Sequence, residues 1–382
     1  MQIAPLAFDF QSTTPCAPEV LRAMEPYWTM NWGNPSNRQN HIGINASAAI
    51  GFARDKLASS LNIESKNIIF TSGATESNNL ALLGYARAKF LETGRTGHII
   101  TLQTEHHAVL DPLRQLQREG FRLTELKTDS EGLISIPIFS EAFQEDTILV
   151  SVMLANNEIG VIQPLDLIAE ICNQRGVLLH SDAAQAFGHI PFEINELDIG
   201  LLSLSAHKFY GPKGIGALVV NHEIPLIPLQ WGGGQENGIR PGTLPVPLVV
   251  GMAEAAKLAI ENLDFNYDAQ TLLRNQLWDG LKNEIPGVKL NGSLSNRLPG
   301  NLNITIEDVK GSRLHSQLRS FISCSSGSAC SNGETSHVLL ALGKNKQEAD
   351  ASLRLSVGRT TTSEEVEMAI QAISKVVKKL RN

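Results

Sequence analysis

Short apolar runs alternate with stretches of helical periodicity over the first 220 residues of the chain. The runs are rich in β-branched and aliphatic residues and are bounded by turn residues, which is typical of buried strands. They cover residues 67–71, 98–102, 147–153, 177–181, 201–205 and 215–220, and the clearest helical stretch covers residues 74–91. This alternation predicts βαβ units, and therefore an α/β fold with a mostly parallel sheet flanked by helices.

The pattern changes after about Thr243. Helical periodicity dominates there, with one further strand. The predicted helices cover 247–263, 267–284, 312–320 and 364–380, and the predicted strand covers 301–306. We therefore expect a large domain over residues 15–260. A smaller α+β domain would comprise 1–14 and 261–382, with the first dozen residues folding back onto it.

Composition narrows the class of protein. Of the 382 residues, 42% are hydrophobic and 19% are charged, and the formal net charge is −7. That balance excludes a disordered chain and argues against direct nucleic-acid binding. No apolar run is long enough to cross a bilayer, residues 1–16 do not resemble a signal peptide, and four cysteines do not make a disulfide framework. We expect a cytoplasmic protein without a membrane partner.

The strongest chemical signal is a lysine directly after a predicted strand. Lys208 stands in SAHKFYGPKGIG, where Ser205 and His207 precede it and a glycine-rich turn follows. In an open α/β sheet, ligands bind beyond the carboxyl ends of the strands, so this amine is well placed to be partly desolvated. The alternative is an ordinary solvated lysine.

Other polar residues also follow predicted strands. Asp182 and Gln185 stand in LLHSDAAQ, where the aspartate could equally be a helix cap. FTSGATE places Ala74 and Thr75 at a strand-to-helix junction, which is either an anion site or a plain capping turn. Asn157 follows a third strand in ANNEIG.

Two adjacent histidines stand in TEHHAVLD. Adjacent positions point to different sides of a helix or strand, and no third ligand lies at a metal-site interval, so no metal site is predicted. Ring stacking or acid–base chemistry suits one of them, His106, better. A single sheet would gather an anion pocket, a stacking histidine, a carboxylate and an amine in one crevice. An amine and a carboxylate are what pyridoxal 5'-phosphate (PLP) needs to act as an electron sink.

Two features lie in the second part of the chain. CSSGSACSNG carries Cys324 and Cys330 in a Gly/Ser-rich segment. Such a cysteine can be an exposed reactive thiol, a small buried hydrophobe or, less readily in the cytosol, half of a disulfide. SLRLSVGR offers Arg354 or Arg359 to a substrate carboxylate, although either could be a surface arginine.

The chain resembles the cysteine desulfurases of the NifS/IscS type, within the class V, fold-type I PLP enzymes. The resemblance runs nearly end to end, and its most specific parts are SAHKFYGPKG and SSGSAC. Its other motifs are GNPSNR, FTSGATESNN, TEHHAVLD, NNEIGVIQP, HSDAAQAFG, GGGQENGIRPGTLP and LRLSVGR.

The resemblance implies a role for each matching residue. Lys208 would hold PLP and move the substrate Cα proton, and Cys330 would be the nucleophile that receives sulfur from L-cysteine as a persulfide, releasing alanine. The implied cofactor contacts are Asp182 to the pyridine nitrogen, Gln185 to the ring hydroxyl, His106 stacked on the ring, and Thr75, Ser205 and His207 at the phosphate, with Thr243 reaching in from the partner subunit of a homodimer. Ala74 and Asn157 would also contact the cofactor. Asn157 and Arg354 would anchor the substrate carboxylate, with Arg354 preferred to Arg359. The implied recipients of sulfur are acceptor proteins such as iron–sulfur scaffolds or thiolation enzymes.

The sequence does not exclude three other functions. A PLP-dependent C–S lyase would release pyruvate without using Cys330, an aminotransferase would leave SSGSAC without a purpose, and a non-catalytic homologue would only bind partners.

Two departures from the family pattern stand out. The segment after Cys330 is about two residues shorter than usual, and FDFQSTTP replaces an acid-Asn-Ala pattern, the latter with no evident chemical consequence.

Overall fold

The computed structural model describes residues 5–221, 223–326 and 335–382. Its strands are β1 (Leu6–Ala7), β2 (Ile68–Thr71), β3 (His98–Leu102), β4 (Arg122–Leu126), β5 (Thr147–Ser151), β6 (Leu178–Asp182), β7 (Leu201–Ser205), β8 (Gly216–Val220), β9 (Val288–Leu290), β10 (Asn301–Ile306), β11 (Ile322–Ser323) and β12 (Ser352–Ser356).

Helices separate most of these strands. They are α1 (Pro18–Met24), α2 (Pro26–Thr29), α3 (His41–Ser60), α4 (Ala74–Thr93), α5 (His107–Arg118), α6 (Ile136–Glu141), α7 (Leu165–Gln174), α8 (Ile194–Leu197), α9 (Val246–Glu261), α10 (Leu263–Glu284), α11 (Gly311–Leu318), α12 (His337–Ala341), α13 (Lys346–Asp350) and α14 (Ser363–Arg381). Within the described residues, none is long and apolar enough to cross a membrane.

The main sheet has the order β2-β8-β7-β6-β5-β3-β4. Every neighbouring pair is parallel except those made by β8, which is antiparallel to both β2 and β7. Alternate residues of each strand enter two different apolar clusters, one built on α3, α7 and α9 and the other on α4 and α5. The sheet is therefore covered on both faces, which confirms the predicted α/β architecture.

The sequence pattern did not predict α3 or β4. The buried face of α3 consists largely of glycine and alanine, so its apolar periodicity has little contrast. Strand β4 is the edge of the sheet, and its first residue is exposed. An edge strand needs less apolar sequence because one of its sides faces solvent.

A second, smaller sheet has the order β12-β10-β9 and is antiparallel. It packs with α10, α11 and α14 around its own apolar cluster. Near the start of the chain, β1 pairs in parallel with β11, and Phe8 is buried in that second cluster. The small α+β unit is present, whereas the boundaries drawn at 15–260 stay a prediction.

A buried histidine joins the three central strands. His180 is fully buried on β6, with Nδ1 2.8 Å from Ser151 Oγ and Nε2 3.1 Å from Ser203 Oγ. Burial lowers its pKa to about 3. A histidine has an ordinary pKa of about 6.5 when the chain is unfolded, so the unfolded state takes up a proton first as the pH falls.

As the pH falls from about 6.5 to 3, we therefore expect protonation of His180 in the unfolded state to lower the free energy of unfolding by up to about 1.4 kcal/mol per pH unit. Urea denaturation at several pH values in this window measures the slope. His180→Gln, which keeps polar atoms between the two serines, should show a correspondingly shallower dependence. Equal slopes for the two proteins would contradict the assignment.

Candidate active site

The carboxyl ends of the parallel strands open into a cavity of about 460 Å³. Strands that run in the same direction bring the residues that follow them to one edge of the sheet. Of the residues singled out in the sequence, those lining this cavity are Ala74, Thr75, His106, Asn157, Asp182, Gln185, Ser205, His207, Lys208 and Arg354. The crevice expected from the order of motifs along the chain is therefore present.

Lys208 ends a 3₁₀ turn that follows β7 directly. The turn is fixed at its base, since Gly211 N donates to Ala206 O at 2.9 Å. The lysine is half-buried, and its Nζ donates to Gln11 O at 2.7 Å and to Ser12 O at 2.9 Å. The amine thus lies in the cavity, held by carbonyl groups of the N-terminal segment.

Asp182 is the last residue of β6 and is 6% exposed. Its Oδ2 accepts from Asn78 Nδ2 at 2.6 Å, and its Oδ1 accepts from Ala184 N at 2.9 Å. Both donors are uncharged. They fix the carboxylate while leaving its negative charge available to a protonated ring nitrogen in the cavity.

The strand-to-helix junction before α4 forms a cradle for an anion. Gly73 caps α4 with a φ of +148°, a conformation that favours glycine. A Cβ on Gly216 would lie 2.6 Å from Gly73 Cα, so the neighbouring strand has no room for a side chain there. The first amides of α4 have no helical acceptor, and together with the helix dipole they attract negative charge.

His207 lies beside this cradle. Its Nδ1 is 3.1 Å from Thr13 Oγ1. Burial, together with the positive charges of Lys208 and Lys213, lowers the pKa of His207 to about 4. The imidazole is therefore neutral at neutral pH and can act as a hydrogen-bond donor without adding charge.

His106 caps α5, and its Nδ1 accepts from Ala108 N at 3.0 Å. Burial lowers its pKa, an effect that Asp182 opposes and Lys208 reinforces. Because Nδ1 is an acceptor, the neutral ring carries its proton on Nε2. A flat, uncharged ring at the cavity wall is suited to stacking on an aromatic cofactor.

Arg354 lies on β12 and is 1% exposed. Its Nη1 donates to Asn157 O at 2.8 Å, and its Nη2 donates to Asp9 Oδ1 at 2.8 Å. Arg359, the other candidate, stacks over the ring of Tyr210 at 4.2 Å and does not line the cavity. Of the two arginines, the structure thus brings Arg354 to the cavity.

Among the predicted site residues that the structure describes, Thr243 does not line this cavity. Thr243 is exposed, on a loop that Arg240 ties to Glu76 at the start of α4 through a 2.8 Å ion pair. Cys330 lies outside the described residues. Cys324 is a free thiol, and burial raises its pKa to about 12, which makes it a poor nucleophile.

Several residues of the site were not predicted from the sequence. Gln11, Ser12 and Thr13 line the cavity because the N-terminal segment crosses its mouth, and nothing local in the sequence predicts that long-range contact. Asn78 was missed as the partner of Asp182. The sequence signal that could have identified Asn78 is its position as a polar residue on the buried face of a predicted helix.

The residues present fit PLP. The cavity offers the half-buried amine of Lys208, the buried carboxylate of Asp182, a glycine cradle at a helix N-terminus and a flat histidine, which match the aldehyde, pyridine nitrogen, phosphate and ring of that cofactor. In addition, Asn157 Oδ1 is buried without a hydrogen-bond partner at the same cavity, where a ligand can supply a donor. Within the described residues, no cluster of potential ligands could hold a metal.

This fold and this site define a fold-type I PLP enzyme. The chain belongs to the aminotransferase class-V family, whose sequence model matches residues 6–368. It is similar to the cysteine desulfurase IscS of Vibrio vulnificus, with 46% identity over 99% of this chain and 94% of that protein. The predicted resemblance to this group is confirmed.

Solved structures show the same likeness. A NifS-like protein superimposes with a TM-score of 0.92 at 36% identity, covering 98% of this chain and all of that one. The structure described as SspA in complex with cysteine has a TM-score of 0.81 at 36% identity, covering 93% of this chain and 99% of that one.

A substitution at the cradle tests the anion site. Gly73→Ala puts a side chain on a residue with a φ of +148°, which costs about 1–3 kcal/mol if the loop keeps its shape. We expect the loop to relax and PLP affinity to fall roughly 10-fold or more, as measured by titration of the cofactor-free protein. Gly51→Ala, in the interior of α3 with open space around it, is the matched control and should leave affinity unchanged. Unchanged affinity for both variants would argue against the cradle.

Proposed function

We propose that this protein is a PLP-dependent cysteine desulfurase, which converts L-cysteine to L-alanine and passes the sulfur to acceptor proteins. The observation that carries the proposal is the convergence of Lys208, Asp182, His106 and Arg354 on one cavity. The similarity to cysteine desulfurases over nearly the whole chain supports the choice of reaction within the family.

PLP, when bound, supplies an electron sink for the substrate Cα. Lys208 would attach it, the Asp182 carboxylate would keep its ring nitrogen protonated, and Gln185 would reach its ring hydroxyl. His106 would stack on the ring. The cradle at Ala74 and Thr75, with Ser205 and His207, would take the phosphate.

The substrate would be held by its carboxylate and deprotonated by Lys208. Arg354 and Asn157 form the carboxylate side of the cavity, joined by the 2.8 Å hydrogen bond from Nη1 to the Asn157 carbonyl. Lys208 is about half-buried among backbone carbonyls, so its amine can receive the Cα proton at a fixed position.

Cys330 would receive the sulfur. Its thiolate attacks the substrate sulfur, so that an S–S bond forms and the Cβ–S bond breaks with its electron pair on carbon. That carbon takes up a proton, and the products are alanine and a persulfide on Cys330. The thiolate is required because the thiol is a weak nucleophile.

The described residues on both sides of the cysteine segment contact residues at or next to the cavity, which supports this role for Cys330. On one side, Arg354 N donates to Ser325 O at 2.7 Å. On the other, Ser336 Oγ hydrogen-bonds the buried carboxylate of Glu158, and His337 Nε2 is 2.8 Å from Glu105 O. Cys330 is five residues from Ser325, a span of at most about 17 Å when extended, so a substrate held beside Arg354 would lie near the base of this segment.

We also propose that the working unit is a homodimer. Apolar side chains that are more than half exposed lie on two segments, one at residues 28–32 and the other leading into the loop that carries Thr243: Trp28, Met30, Trp32 and Trp231. The two segments that carry them are joined by a 3.3 Å hydrogen bond from Gln235 Nε2 to Ser36 Oγ. An exposed patch of this kind marks an interface, and it would place Thr243 at the partner's phosphate site.

The proposed sulfur acceptors are iron–sulfur scaffold or thiolation proteins, and the proposed location is the cytoplasm. Cys16, Cys172 and Cys324 are free thiols, which suits a reducing compartment. The segment after Cys330 is shorter than is usual for the family, which points to a limited reach and to an acceptor that binds close to the cavity.

Product analysis tests the proposed reaction. The PLP-loaded protein is incubated with L-cysteine and a thiol reductant, and alanine, pyruvate and sulfide are measured together. Alanine equal to sulfide, with little pyruvate, is the expected result. Pyruvate in place of alanine would make the protein a C–S lyase, and no turnover with PLP bound would indicate a partner-binding homologue.

A further inference from the structure

A serine hydroxyl lies against the guanidinium of Arg354 at the cavity. Ser12 Oγ is 2.5 Å from Arg354 Nη2, and both residues line the cavity. The residues on either side are fixed, since Gln11 N donates to Ser356 Oγ at 3.0 Å and Thr14 N donates to His207 O at 3.0 Å. The FDFQSTTP departure, which had no evident consequence in the sequence, therefore places a hydroxyl at the carboxylate side of the site.

The hydrogen bonds around this hydroxyl leave its proton available. Arg354 Nη2 donates and Ser12 Oγ accepts, so the serine O–H must point elsewhere. Ser325 Oγ donates to the Asp9 carboxylate at 2.9 Å and accepts from the same Nη2 at 3.1 Å. In the part of the chain that the structure describes, the Ser12 proton has only a long contact of 3.4 Å, to Ser325 Oγ.

The positive charge of Arg354 is partly neutralised by an ion pair. Its Nη2 pairs with Asp9 Oδ1 at 2.8 Å, and Asp9 does not line the cavity. A guanidinium that is paired with one carboxylate attracts a second one less strongly. An uncharged donor on the cavity side of the guanidinium would add to the attraction for a substrate carboxylate.

We propose that Ser12 donates a hydrogen bond to the α-carboxylate of the substrate, next to Arg354, and so favours amino acids over amines that lack a carboxylate. This assignment rests on the proposed function and adds a substrate-binding residue to it. Arg354 supplies charge and a planar fork, whereas Ser12 supplies a donor whose position is fixed by the chain on both sides of it.

The test compares three variants of the PLP-loaded protein. Ser12→Ala should raise the KM for L-cysteine about 10-fold, as expected for the loss of one hydrogen bond to a charged group, with kcat within about 2-fold of wild type. Ser12→Thr keeps the hydroxyl and should restore most of the affinity. Ser325→Ala is the matched control, because it removes a hydroxyl from the same Nη2 without removing one from the cavity wall.

Inhibition by cysteamine separates binding of the carboxylate from a general change in the pocket. Cysteamine has the amine and thiol of cysteine but no carboxylate, so its inhibition constant should be the same for wild type and Ser12→Ala. An unchanged KM in Ser12→Ala, an equal rise in Ser325→Ala, or a parallel rise in the cysteamine constant would overturn the assignment. Wild-type protein that forms no alanine would overturn the proposed function itself, and this assignment with it.

Discussion

Lys208→Ala should lose desulfuration by roughly 10²–10⁴-fold, because it removes both the attachment of PLP and the base for the Cα proton. The amine is held in the cavity by the carbonyls of Gln11 and Ser12, and the structure offers no second amine with those contacts among the described residues. The absorbance of the lysine-bound cofactor should disappear, while PLP bound through its phosphate and ring is retained at lower affinity. Absorbance spectra and sulfide release measure the two effects.

Lys213→Ala is the control for the loss of one positive charge at the cavity. Lys213 also lines the cavity, but it is exposed and follows the glycine turn. The variant should keep the absorbance of the lysine-bound cofactor. If Lys213→Ala lost that absorbance and Lys208→Ala kept it, the assignment of the two lysines would be wrong.

Cys330→Ala should keep the cofactor and its spectrum while losing alanine formation from L-cysteine by about 10³-fold or more, since it removes the nucleophile that takes the sulfur. The prediction separates a desulfurase from a C–S lyase, which does not need the thiol. Alanine and pyruvate are quantified under identical conditions for wild type and variant. Full retained desulfuration would contradict the persulfide role.

Cys324→Ala is the matched control, because this second cysteine is only six residues away. It is partly buried against the second apolar cluster, and this burial raises its pKa to about 12, so it is packed as an apolar residue and does not act as a thiolate. The substitution should lower stability slightly through lost packing and leave alanine formation largely intact. Equal losses in the two variants would indicate a disrupted segment and not a lost nucleophile.

Much of the fold could be predicted because the main sheet is mostly parallel and buried on both faces. Its inner strands, such as Leu201–Ser205, are then buried along their whole length and are mostly apolar, so they stand out in a sequence. His41–Ser60 was missed because its buried face is made of small residues, and Arg122–Leu126 because it is an edge strand.

The site residues that directly follow a strand could be predicted from the sequence. Lys208 and Asp182 lie at strand ends, so sheet topology alone brings them together. Ser12 reaches the cavity, and Asp9 reaches Arg354, through a segment whose position depends on pairing with β11 and β12, more than 300 residues away. Contacts across such a separation leave no periodic signal in one sequence.

A single turnover without reductant tests the central claim most directly. PLP-loaded protein is mixed with one equivalent of L-cysteine per site, quenched with an alkylating reagent and digested, and alanine is counted in the same sample. The account predicts one alanine per site and one added sulfur atom on the peptide that carries Cys330. Alanine without added sulfur on that peptide, or pyruvate in place of alanine, would contradict it.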